Sequence, residues 1–206
     1  MILYLERQLF VWDKPAGVET QDETALKQLQ EEINAREGRT GTPFIHPIHR
    51  LDQPTSGIVV FARSSKALSR LQASLRERNC EKRYLAWVEG EIKEEKRLVD
   101  KIAHASHHAK LDREGKASSL NYKIVEKQRD RTLLLIALET GRYHQIRLQL
   151  ASRGHPIVGD VKYGAKKSNL SPGILLHHTY FSIPHPITQE KLEFHSEPPF
   201  TTSSLS

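Results

Sequence analysis

Three segments of the chain hold more functional side-chain types than folding requires. The stretch His49-Arg50-Leu51-Asp52-Gln53-Pro54-Thr55-Ser56-Gly57 sets an acid and an arginine on a turn-forming run after Pro47, and active-site groups commonly lie on such constrained loops. A carboxylate there can attack carbon or take a proton; alternatively, Asp52 closes an Asx-turn by accepting backbone N–H groups. Glu81-Lys82-Arg83-Tyr84-Leu85-Ala86-Trp87-Val88-Glu89-Gly90 places a tyrosine among basic residues. In a strand, Tyr84, Ala86 and Val88 share one face, so the ring is either a core aromatic or a platform on which a base stacks. The third segment runs Thr140-Gly141-Arg142-Tyr143-His144-Gln145-Ile146-Arg147 and on to Arg153, with three arginines in twelve residues from Arg142. Such a set can hold a phosphate or a carboxylate, or form a solvated helix face. Taken one at a time, spacing favours the structural reading of each segment.

The elements that must position these residues can be read from periodicity. Leu9-Phe10-Val11-Trp12 reads as a strand that stops at the turn Lys14-Pro15-Ala16-Gly17. Ala25, Leu26, Leu29 and Ile33 recur at helical spacing behind the cap candidate Asp22. A basic loop from Arg36 to Pro43 then leads toward Asp52, and Gly57-Ile58-Val59-Val60-Phe61-Ala62 is a buried-strand signal. Asp52 is therefore expected on a loop feeding a strand. Ser64 or Ser65 caps a helix with the stripe Ala67, Leu68, Leu71 and Leu75. Strands are expected over 84–88, 120–125, 133–138, 175–183 and 192–194, and a helix over 145–152 that ends at Gly154. Strands outnumber helices and mostly follow one another directly. This predicts an α+β fold, one domain over 1–200 with a largely antiparallel mixed sheet flanked by helices and a cleft across it. The polar tail 201–206 is expected to be flexible.

Among 206 residues, 31 lysines and arginines face 25 acids, a formal net charge of +6. That excess favours a polyanionic partner without proving one. Hydrophobic residues at 37% and charged ones at 27% belong to a globular chain with a core rather than a disordered or fibrous one. Cys80 is the only cysteine, which excludes an intrachain disulfide and a thiolate metal cluster and points to a reducing compartment. The longest aliphatic run, Leu133 to Leu138, falls far short of membrane-spanning length. A soluble, unexported, cytoplasmic protein is expected.

Together the three segments resemble the RluA-type pseudouridine synthases, whose members carry H-R-L-D-x-x-T-S-G, K-x-Y-x-A-x-V-x-G and T-G-R-x-H-Q-I-R in this order. Lys14-Pro15-Ala16-Gly17, Gly154-His155-Pro156-Ile157-Val158-Gly159-Asp160, and Leu176-His177 with His185-Pro186 match further signatures, so the likeness runs from about Phe10 to Pro198. By position it implies that Asp52 is the catalytic aspartate, Arg147 the arginine that pairs with it, and Tyr84 the aromatic residue that stacks on the target base. Arg50 matches an arginine able to fill the gap left by a flipped nucleotide, and Ile146 an apolar residue lining the uracil pocket. For Arg142 and His144 a helix-start, phosphate-side role is expected. The implied activity is isomerisation of specific uridines in structured rRNA or tRNA after base flipping. The glycosidic bond breaks and a carbon–carbon bond replaces it, so nothing is oxidised; no cofactor and no metal are expected. Structured RNA is the implied partner, with no DNA and no membrane, and the chain should act as a monomer. It resembles a compact member lacking the N-terminal accessory RNA-binding domain of many relatives, because the first core strand begins within about ten residues of Met1. Ser118-Ser119-Leu120 and His178 depart from common family choices and bear on which RNA is recognised.

Two other classes remain open on the residues. A nucleoside-cleaving hydrolase would also use a carboxylate but wants a second acid, for which Asp160 and Glu139 are the nearest candidates. A non-catalytic RNA-binding module would need the basic surface but not Asp52. His104, His107 and His108 cluster without an acidic or thiolate partner at metal-ligand spacing and read as surface histidines.

Overall fold

A computed structural model describes residues 1–168 and 172–200; the tail 201–206 lies outside them. Third along its sheet is β4 (Ser56–Ala62), buried along its whole length, as a near-continuous apolar run requires when both faces are covered. Antiparallel β2 (Leu9–Lys14) lies on one side of it, followed by β1 (Ile2–Leu5). On the other side lies β10 (Leu176–Pro184), in the sheet's parallel pairing. Then come β5 (Glu81–Glu89), β9 (Arg131–Leu138), β8 (Lys116–Lys127), β6 (Lys96–Ala105) and β7 (His108–Leu111), all antiparallel. Short β3 (His46–Pro47) pairs with β4, and β11 (Lys191–His195) with β10. The described residues thus form one eleven-stranded sheet, mixed but overwhelmingly antiparallel. This is the α+β architecture expected from the sequence.

Three α-helices of the described residues cover the sheet, and the period of two in its strands decides which side each one takes. Phe10, Trp12, Val59 and Phe61 join one cluster with Leu29 and Ile33 of α1 (Glu23–Glu37) and Ile146 and Leu150 of α3 (Gln145–Ala151). The alternating residues Leu9, Val11, Ile58 and Val60 join another with Ala67 and Leu71 of α2 (Ser65–Arg76). Tyr84 belongs to the first cluster, on the side of α1 and α3. The caps follow local chemistry: the Asp22 side chain accepts from Ala25 N at 2.8 Å, and Ser64 Oγ accepts from Ala67 N at 3.1 Å, each satisfying an amide without an intrahelical partner. No helix of the described residues is long and apolar enough to cross a membrane.

Four strands were not anticipated, β1, β3, β6 and β7. The sequence of β6 is the instructive one, because charges interrupt its apolar alternation. Leu98 and Ile102 are buried, while Asp100 between them accepts from Gln149 Nε2 at 2.7 Å and from Arg153 Nη2 at 3.1 Å. A strand whose inward acid is paired by a helix on the other side of the chain reads as a charged loop until that helix is in view.

At the parallel junction Gly57 has φ +112°, and a Cβ there would stand 2.4 Å from the carbonyl oxygen of His178. Both the backbone conformation and the approach of β10 therefore demand glycine. Gly57→Ala should lower stability by about 3 kcal/mol, read as a fall in the urea midpoint. A midpoint equal to that of the parent chain would show that this junction does not constrain the fold.

Candidate active site

The loop that carries Asp52 is tethered from several directions. Thr20 Oγ1 donates to Leu51 O at 3.1 Å and accepts from Leu51 N at 3.0 Å. The amine of Lys14, wholly buried, donates to Val18 O at 2.7 Å, Pro15 O at 3.0 Å and Gln53 O at 3.3 Å. Burial lowers its pKa to about 8, against the raising effect of the Asp52 charge. Ile174 N donates to Pro54 O at 3.1 Å, and a Cβ on Gly173 would stand 2.2 Å from that oxygen. The turn itself is closed by the backbone: Thr55 N donates to Asp52 O at 3.0 Å. Among the described residues the Asp52 carboxylate accepts no backbone N–H, so the Asx-turn reading does not describe it.

Arg147 Nη1 donates to Asp52 Oδ2 at 3.0 Å. His144 Nε2 lies 3.5 Å from the same oxygen, and Oδ1 has no hydrogen-bond partner among the described residues. The rest of the Arg147 fork is consumed elsewhere: Nε donates to Asp160 Oδ2 at 2.7 Å and Nη2 to Asp160 Oδ1 at 2.8 Å. The Arg147 and Asp160 side chains are 4% and 1% exposed, against 23% for Asp52. Burial works against the guanidinium charge, but the bonds to Asp160 and then Asp52 outweigh it and raise the Arg147 pKa above that of an ordinary arginine. Arg147 is thus a bridge, anchored bidentately to a buried acid and donating from Nη1 to a partly exposed one.

His144 introduces α3 with φ 51°, a left-handed conformation that costs a non-glycine residue about 1–3 kcal/mol and is held only by its surroundings. Tyr163 OH accepts from Ala109 N at 2.9 Å and lies 2.8 Å from His144 Nδ1. Burial, then the charges of Arg147 and Lys162, lower the His144 pKa to about 3. His144 thus starts α3, as expected, and stands neutral beside the Asp52 carboxylate.

Asp52, His144 and Arg147 line a cleft of about 900 Å³ together with Tyr84, Ile146, Arg50, Lys82, Arg142 and Lys162. All seven site residues named from the sequence border it. Ile146 is 5% exposed, and Arg50 and Arg142 are exposed at the rim. The Tyr84 ring is 7% exposed and one face stacks on His178 at 4.4 Å and 15°. Burial first, then the negative charge of Asp52, raise the pKa of its hydroxyl. Tyr84 is thereby both a core aromatic and part of the cleft wall. Sequence reasoning assigned no role to Lys14 or Tyr163 and treated Asp160 only as a possible acid. Lys14 and Asp160 lie in motifs already noticed; Tyr163 carries no local signal. Among the described residues no group of histidines, cysteines and acids is placed to hold a metal, and His104 packs edge-on against Tyr143 at 4.6 Å.

Residues 8–152 match the family model described as RNA pseudouridylate synthase. The chain belongs to that family. It is 31% identical over 205 residues to ribosomal large subunit pseudouridine synthase C of Vibrio vulnificus (strain CMCP6), which covers 95% of this chain and 65% of that protein. It is also 31% identical over 206 residues to dual-specificity RNA pseudouridine synthase RluA of Pasteurella multocida (strain Pm70), covering 97% of this chain and 93% of that one. The fold superposes on human RNA pseudouridylate synthase domain containing 1 with a TM-score of 0.81, 26% identity and coverage of 98% of this chain and 85% of that one. The chain thus spans about two thirds of the length of the Vibrio relative and nearly all of the Pasteurella one.

Buried neutral histidines make a pH dependence predictable. His178 is wholly buried and, like His144, its pKa is lowered to about 3, chiefly by burial; burial also lowers that of His177. Unfolded histidines bind protons below about 6.5 while these folded ones do not, so stability falls as pH drops from about 6.5 toward 3. With two such groups the slope approaches roughly 3 kcal/mol per pH unit. Between pH 6.5 and 5 few carboxylates titrate, so urea midpoints in that window report the histidines. A midpoint as high at pH 5 as at pH 7.5 would contradict their burial in neutral form.

Proposed function

We propose that the protein isomerises uridines in structured ribosomal or transfer RNA to pseudouridine, with Asp52 as the reacting carboxylate and residues 1–200 as the catalytic domain. The observation that carries this reading is the asymmetry of Asp52, whose Oδ2 is held by Arg147 while Oδ1 stays open in a cleft shared with Tyr84 and Ile146. A flat base entering that cleft can lie between the Tyr84 ring and the Ile146 side chain, with its glycosidic carbon facing the open oxygen. Base flipping costs a few kcal/mol, and Arg50, exposed at the rim, is suited to fill the vacated stack. In the reaction the N1–C1′ bond breaks and a C5–C1′ bond forms; a proton leaves C5 and one is gained at N1. Atoms and electrons balance within the substrate, so the chain's own groups suffice. Asp52 acts either covalently at a carbon or as a base toward the ribose, and the same open oxygen serves both routes.

Supporting the RNA class are the basic cleft and the names of the relatives, one for large-subunit ribosomal RNA and one for dual specificity. The same reading has the protein act in the cytoplasm as a monomer. A hydrolase of the same bond is disfavoured by the fate of its two candidate acids. Asp160 has both oxygens bonded to Arg147. Glu139 is bound by Arg97 and Asn121, and its pKa is held at about 2, first by the Arg97 hydrogen bond, so it carries no proton to give a leaving base.

Asp52→Asn keeps the shape and removes the charge. We expect no carbodiimide-stable uridine stops on unmodified rRNA or tRNA transcripts, with RNA binding retained. Product formation within about tenfold of the parent chain would sink the assignment, and free uracil among the products would restore the hydrolase.

A further inference from the structure

Five cations border the cleft, Arg50, Lys82, Arg142, Arg147 and Lys162, and among the described residues only Arg147 meets a carboxylate. Three of the others are exposed, where water compensates a charge. Lys82 is different, being partly buried within the wall. Its ammonium lies 5.9 Å from the centroid of the Phe181 ring and beside Gly141, where an added Cβ would stand 3.9 Å from Nζ. Burial lowers its pKa, and the one group that raises it is the Cys80 thiol, which burial itself keeps protonated. His49 and His178, both held neutral, are penalised by its charge rather than compensating it. A desolvated cation without a counter-charge is an unfavourable arrangement for a fold, and it becomes favourable once an anion arrives.

The strand supplies the position. Lys82 and Tyr84 are two residues apart in β5 and point to the same side, separated by about 7 Å along the strand. That is comparable to the span between a nucleobase and the phosphate of its own nucleotide. We propose that Lys82 is the phosphate anchor of the flipped nucleotide: with the base against Tyr84, a backbone phosphate of that nucleotide enters beside Gly141 and meets the Lys82 ammonium. Gly141 leaves the room a side chain would take. Arg50, Arg142 and Lys162 at the rim then serve neighbouring phosphates, each in solvent and each weaker. This assignment rests on the RNA-isomerase reading above.

The test is Lys82→Met in the full chain, with unmodified large-subunit rRNA and tRNA transcripts as probes. Binding should weaken about tenfold, and the slope of log affinity against log salt should become shallower by roughly 0.7. At saturating RNA kcat should stay within about threefold. The urea midpoint of the free protein should be equal or higher, a sign that a purely structural lysine would not give. Lys82→Arg should retain most of the affinity, and Lys82→Gln carries the same expectations as Met should the apolar residue not be tolerated. Unchanged affinity and salt slope would overturn the anchor. A collapse of kcat with unchanged affinity would overturn it too, placing the charge against the departing uracil instead. If the parent chain binds neither RNA, the isomerase reading fails first, and that outcome is distinct from either of these.

Discussion

The site depends on how one guanidinium divides its donors. Two of the Arg147 N–H groups are committed to Asp160, where neither partner sees appreciable solvent, and the plane of the fork is thereby fixed before Asp52 is considered. Removing one partner from a pair buried this deeply costs about 3–5 kcal/mol, because the other charge is left without compensation. The third donor then points where it must, and Asp52 is held by a single oxygen. Lysine could not substitute: a point charge with rotating donors cannot hold one acid bidentately and aim at another.

Asp160 owes its own position to the sheet. Val158 N donates to Trp87 O at 2.9 Å and Glu89 N to Pro156 O at 2.9 Å, so the 156–160 segment is laced along β5, and Ala165 N closes on Asp160 O at 3.1 Å. Tyr84 belongs to the same strand. The strand that carries Tyr84 therefore also positions, through Asp160 and Arg147, the Asp52 carboxylate that faces the same cleft. From the opposite side, Lys14, Thr20 and Ile174 secure the backbone of the Asp52 loop. The acid is held at its backbone by one set of elements and at its carboxylate by another, which leaves little freedom to be lost when substrate binds. Catalysis by preorganised charge requires such a frame.

Much of this was legible in the sequence, for reasons that differ between residues. The helices declared themselves through caps and stripes at Asp22 and Ser64, and β2, β4 and β5 through apolar runs. Asp52, Tyr84 and Arg147 could not be chosen by spacing, which favoured bland readings; the linked motifs singled them out, and the structure brings them to one cleft. Asp160 was read as a spare acid because its pairing with a residue thirteen positions earlier depends on the turn after α3, a tertiary feature. His144 was placed on a phosphate side because its position suggests a helix start. It does start α3, and the structure adds its 3.5 Å approach to the Asp52 carboxylate, which no local signal announces. Strand β6 hid behind charges, among them Asp100, whose partners Gln149 and Arg153 lie on α3 and just beyond it.

The most direct test of the central claim concerns Asp160, which touches no substrate in this account. Asp160→Asn preserves shape but loosens the bidentate grip on Arg147. With unmodified RNA at saturation, and at a temperature where the variant remains folded, kcat should fall about 100-fold while RNA affinity stays within about threefold of the parent chain. A folded Asp160→Asn protein with the parent kcat would show that Asp52 needs no such frame, and the account of the site would be wrong at its foundation.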